Sequence, residues 1–185
     1  MHVEQVRVGR RIKHSIPVSP PVKNYLEKWY PDSGEVNKDE FLGMWCINAL
    51  VRKTVQTKTF TNSEEDIKYL TSRKMTEKWS FMLPVRYNNA YPATIFPKRR
   101  VLEFQNMIMK CMYTEILQEM EMRRSRGDLN FIQSTIDNFR NKYNIRDNSF
   151  DDDRIRKMYL RFRAQKNIPD SDFSAFLPGM FLGKI

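Results

Sequence analysis

The sequence predicts a mainly α-helical fold, α+β at most, on three observations. Apolar residues recur at spacings of three and four along most of the chain, one helix signal runs unbroken from Pro97 to Arg126, and β-branched residues concentrate in a single short run near 54–61. Three parts are expected: a basic arm over 1–18, one helical domain over 19–168 and an apolar docking tail over 169–185.

In the arm, Arg7, Arg10, Arg11 and Lys13 stand against a single acid, Glu4, and both histidines, His2 and His14, lie there. The pattern permits a short strand but holds too little apolar surface for a core of its own. Ser19-Pro20-Pro21 then opens a helix, with prolines where a missing N–H costs nothing. Val22, Tyr25, Leu26 and Trp29 give that helix one apolar face, and Pro31 with Asp32-Ser33-Gly34 ends it.

A second helix is expected from an Asn37 cap, with Glu40 placed to reach back to it. From Phe41 to Leu50 its body is apolar round most of its circumference, which suits a central buried helix. The run Thr54 to Thr61 is the best strand candidate, with residues 79–96 as its partner in a small sheet. Between them Ser63 caps a helix through about Met75, its first turn carrying Glu64, Glu65 and Asp66 at the positive end of the dipole.

The longest helix runs from Pro97 to a stop at Gly127, with Arg123, Arg124 and Arg126 at its negative end. Leu102, Met109, Tyr113, Ile116 and Met120 mark a stripe that Phe104, Ile108 and Met112 broaden, so packing on two sides is implied. A helix from Asp128 follows, with Ile132, Ile136, Phe139 and Tyr143 on one face. A last helix is capped by Ser149 and carries Ile155, Met158, Tyr159 and Phe162 inward. Residues 128–166 therefore read as a unit of the helix-turn-helix kind.

Charge is the main functional signal. Thirty-two Lys and Arg against 22 Asp and Glu leave +10, an excess that anionic partners relieve. Three basic groups are candidates for nucleic acid or an acidic partner: the arm, the cluster Lys98, Arg99 and Arg100, and the last helix with Arg154, Arg156, Lys157, Arg161, Arg163 and Lys166. The acids Asp151, Asp152 and Asp153 at the start of that helix would repel phosphates. They are better explained by the helix dipole and by pairs with Arg156 and Lys157 one turn on.

The tail, with Phe173, Phe176, Leu177, Met180, Phe181 and Leu182, is too apolar to face water and is expected to dock on protein.

Catalytic signatures fail. There is no phosphate-cradling glycine loop, no H-E-x-x-H and no nucleophile with a histidine available from a core. His2 and His14 have no nearby cysteine, so neither a metal nor a cofactor is expected. Cys46 and Cys111 read as free thiols of a reducing compartment. No apolar run reaches the length of a membrane span or of a signal core, so a cytoplasmic or virion location is expected, without membrane or small-molecule partners.

The expectation is a non-enzymatic structural or assembly protein, a subunit of a virion, a phage particle or a similar complex. The alternatives are a DNA-binding helix-turn-helix protein of a virus or mobile element, and an RNA-bound accessory subunit.

Overall fold

The computed structural model describes residues 5–8, 11–31, 34–37, 39–52, 58–60, 63–84, 94–146 and 150–165. The chain is mainly helical with a small sheet, in the order β1 (Gln5–Val8), β2 (Arg11–Val18), α1 (Pro20–Trp29), β3 (Gly34–Glu35), α2 (Phe41–Ala49), β4 (Val51–Arg52), α3 (Glu64–Ser72), β5 (Glu77–Pro84), β6 (Thr94–Ile95), α4 (Lys98–Ser125), α5 (Phe131–Tyr143) and α6 (Asp152–Gln165). The tail from Phe173 to Leu182 lies outside the described residues, as do Arg10 and Lys166.

Residues 5–8 and 11–18 of the segment expected as an arm are built into the main sheet, whose strand order is β1-β2-β5-β3. β2 pairs antiparallel with β1 and with β5, in a register that sets His14 opposite Phe81 and Ile16 opposite Trp79. With side chains alternating across the pleat, Ile12, His14, Ile16 and Val18 share a face with Trp79, Phe81 and Leu83. Most of that face is buried: Ile16, Val18, Trp79 and Leu83 are fully covered. The strand supplies half of an apolar face and β5 the other half, which is why the segment lacked a core when read alone. On the opposite face Ser15 and Ser80, also paired in register, share a hydrogen bond of 2.8 Å.

A small sheet forms near the regions expected, with its described pairing just before the first of them. β5 takes β2 as its partner, while β4 pairs antiparallel with β6 as a separate two-stranded ribbon. Residues 58–60 are not in a strand, and 53–57 lie outside the described residues.

Of the helices, α1 starts at the expected prolines and buries Pro21, Val22, Tyr25 and Leu26, but Trp29 is 45% exposed. α2 begins four residues beyond Asn37, whose side chain instead accepts from the Asp39 N–H in a local turn. It buries Leu42, Gly43, Cys46 and Ala49 while Met44 is exposed, so it is one-sided rather than buried all round. Ser63 caps α3 as expected, its hydroxyl accepting from the Asp66 N–H, and the helix ends at Ser72.

α4 is the spine. Val101, Phe104, Ile108, Met112, Ile116 and Met120 are buried along it, so the broadening residues join Ile116 and Met120 of the expected stripe in the core, while Leu102, Met109 and Tyr113 flank it. Its first half faces the sheet through a group of rings: Trp79 stacks on Phe81 at 4.9 Å and on Phe104 at 5.7 Å, and Trp45 meets Phe104 at 5.0 Å. Its second half meets α5 and α6. Gly127, at φ +81°, turns the chain back as the left-handed residue past a helix end. α5 begins at Phe131, because Asp128 accepts from the Asn130 N–H and holds the preceding residues in a turn. α6 has Asp151 accepting from the Arg154 N–H at its start.

Partner pairs fix the directions of these helices. Glu115 meets Tyr143 and Arg123 approaches Ser134, so α5 runs antiparallel to α4. Tyr113 stacks on Phe150 while Glu121 meets Tyr159 and Arg163, so α6 runs parallel to α4. Arg140 lies against Asp152 and Phe131 against Tyr159, so α5 and α6 are antiparallel. The three make an up-down-up bundle. A helix-turn-helix crosses its two helices at roughly 90–120° through a turn of three or four residues. Here 128–166 forms an antiparallel pair joined by residues 144–151.

Candidate functional site

The basic residues singled out in the sequence divide into those engaged inside the fold and those turned outward. Arg11 pairs with Glu35 at 2.5 Å and Lys13 is half-buried on the sheet. Arg7 occupies a position in β1 opposite Ile12. At the start of α4, Lys98 forms an ion pair with Asp66, whose side chain is 8% exposed, and lies 5.3 Å from the Phe60 ring centre. Arg99 and Arg100 both reach Glu103, at 2.7 and 2.8 Å. Those hydrogen bonds hold the Glu103 carboxyl below its ordinary range, Arg99 first. Three cations at the positive end of a helix dipole thus lie beside two acids, with Arg99 and Arg100 sharing Glu103 and Arg99 still 89% exposed.

α6 sorts in the same way. Arg163 donates to Glu121 at 3.1 Å, and Arg156 donates to Gln133 on α5. Asp152, expected to pair with Arg156, instead takes Arg140 at 2.5 Å, and Arg140 also donates to the Phe150 carbonyl. What remains outward is Arg154, Lys157 and Arg161, at positions i, i+3 and i+7 of one helix and all exposed. Arg154 lies over the Tyr113 ring at 5.6 Å, and among the described residues neither Lys157 nor Arg161 makes an ion pair. The three charges form a stripe about 10 Å long on the outer side of the bundle.

Two acids of α4 went unread in the sequence. Glu115 accepts from the hydroxyls of Tyr25 (3.1 Å) and Tyr143 (2.8 and 2.9 Å) and from the Lys142 ammonium (2.8 Å), tying α1 and α5 to the spine. Burial raises both phenols well above their ordinary range, and the carboxylate beside them adds to it. Glu121 holds α6 by accepting from Tyr159 at 2.6 Å and from Arg163. Tyr159 is pushed up to about 12, by burial first and then by Glu121. Nothing in one sequence links a glutamate to tyrosines 28 and 38 residues on.

Beside Glu115 a groove of about 1030 Å³ opens between α1, α4 and α5. Trp29, Met107, Cys111, Phe139 and Met122 give it an apolar lining, with Lys110, Thr114 and Asn138 among the polar groups. Thr135, 1% exposed, lines one wall, and its hydroxyl has no hydrogen-bond partner among the described residues.

Set against protein-family models, curated proteins and solved structures, the chain matches none of them. Among the described residues no group of three His, Cys, Asp or Glu is placed to hold a metal ion, and no helix is long and apolar enough to cross a membrane. His14 is buried between Phe81 (5.6 Å) and Phe96 (5.8 Å), and burial holds it down at about 4, so it is a neutral core ring.

Proposed function

We propose that the chain is a non-enzymatic structural protein of a larger assembly, a virion or phage particle in its most specific form, and that the outer side of α6 faces a polyanion. The observation that carries this reading is the sorting of charge. Among the candidate cations with described side chains, Arg11, Lys98, Arg99, Arg100 and Arg163 pair with acids of the same chain and Arg156 donates to Gln133, while Arg154, Lys157 and Arg161 are left on α6 as one outward stripe. Guanidinium and ammonium groups set along one helix face meet successive phosphates without reading bases. The antiparallel packing of α5 and α6 favours such backbone contact over insertion of a recognition helix, which weighs against the helix-turn-helix alternative.

Light scattering on the purified chain tests this reading, with and without a mixed-sequence duplex at low and high salt. Assembly beyond a dimer, with duplex bound at low salt and released at high salt, is expected. A monomer that ignores duplex at both salts overturns it.

A further inference from the structure

We propose that the groove between α1, α4 and α5 is the seat of this chain's own C-terminal segment, with the apolar side chains between Phe173 and Leu182 filling it. The inference rests on the groove and the tail and stands apart from the role of the α6 stripe.

The groove is mainly apolar, and among the described residues nothing covers it. Trp29 near one end and Met122 at the other are each 45% exposed, an unusual outlay of large apolar surface on the best-packed helices of the domain. From Glu103 to Met122 it follows α4 for about 28 Å at 1.5 Å per residue.

The tail starts in the right place and has the right length. α6 is held to α4 by Arg163 on Glu121, the residue adjoining Met122, and its last described residue is Gln165. Residues 166–172 span up to about 25 Å, enough to pass round α4 from Glu121 to the groove mouth. Residues 173–182 then cover roughly 15 Å if helical and 33 Å if extended, which brackets the groove.

The chemistry also agrees. Phe173, Phe176, Leu177, Met180, Phe181 and Leu182 supply apolar surface to match the exposed parts of Trp29 and Met122. Pro178, Gly179 and Gly183 interrupt a helix and so leave backbone N–H and C=O groups available. The buried Thr135 hydroxyl at the wall is a group such a backbone would satisfy.

The test uses the full chain with a benzophenone-bearing amino acid in place of Phe176, irradiated and mapped by mass spectrometry. Cross-links within single chains, to peptides holding Met107, Met122 or Trp29, are expected. Cross-links to other elements, or joining two chains, overturn the proposal. Iodide quenching gives a second readout, because Trp79 is fully buried and Trp45 half-buried, leaving Trp29 as the tryptophan the tail would shield. Phe173→Asp, Phe176→Asp and Phe181→Asp together should raise the quenchable share by about one tryptophan in three. An unchanged share contradicts the proposal.

Discussion

Removing the Glu115 carboxylate should loosen the bundle by an amount the geometry bounds. Tyr25 and Tyr143 are each 2% exposed, and both hydroxyls donate to Glu115. A hydrogen bond to a charged group contributes about 1.5–3 kcal/mol, and an orphaned buried donor retains its desolvation cost. The Lys142 pair adds little, because its side chain is 47% exposed. The Glu115 side chain is itself 30% exposed, so the lower half of the range applies to each bond. Glu115→Ala is therefore expected to cost about 3–4.5 kcal/mol, and Glu115→Gln, which keeps one acceptor, roughly half of that.

Urea titration at neutral pH measures the loss, and repeating it in alkali tests the cause. Both phenols titrate higher in the folded state than in the unfolded chain, where the value is 10.0. Their contribution is therefore fully present below pH 10.0 and is lost as pH rises above it. Wild type should lose stability steeply beyond that point, and Glu115→Gln less steeply. A Glu115→Ala protein within about 0.5 kcal/mol of wild type at neutral pH, with an unchanged alkaline slope, would refute the reasoning.

Acid gives the opposite dependence through His14. Its folded value lies at about 4, below the ordinary 6.5, so its contribution is present above pH 6.5 and is lost as pH falls towards 4. Over that window wild type should lose up to about 3 kcal/mol that His14→Leu does not, measured by urea titration at stepped pH. Trp79→Ala removes a fully buried ring stacked on Phe81 and Phe104, and should cost about 3–5 kcal/mol by chemical denaturation. Ser63→Ala deletes the cap of α3 and should cost about 1 kcal/mol, with amide exchange of the first turn of α3 rising more than that of α4.

Legibility in the sequence followed the range of the interaction. α1 and α4 were readable because their boundaries are local, set by prolines before one and by Gly127 after the other. The inner face of α5 was readable from the spacing of Ile136, Phe139 and Tyr143. β2 was not, since Ile12, His14, Ile16 and Val18 become a core face only when β5 lies beside them, 65 residues on at the Ser15–Ser80 pair. Pro17 and His14 also disguised the alternation.

The charges were visible as composition, but their partners were not. Lys98 looked unexplained until Asp66 on α3 came against it, and Asp152 chose Arg140 over the nearer Arg156 because antiparallel packing brings α5 to its side. Outward stripes are what remains after such pairing, so they cannot be counted before the fold is known.

Titration of a mixed-sequence duplex against salt tests the assigned polyanion face most directly. Three phosphate contacts by Arg154, Lys157 and Arg161 give a slope of log affinity on log salt of about −2.7, or roughly a 40-fold loss between 50 and 200 mM. Wild type should show a slope at least that steep. Arg154→Ser, Lys157→Ser and Arg161→Ser together should flatten it by about 2.7, while Arg99→Ser with Arg100→Ser leaves it unchanged. Equal slopes for wild type and the α6 triple variant would contradict the assignment of that face.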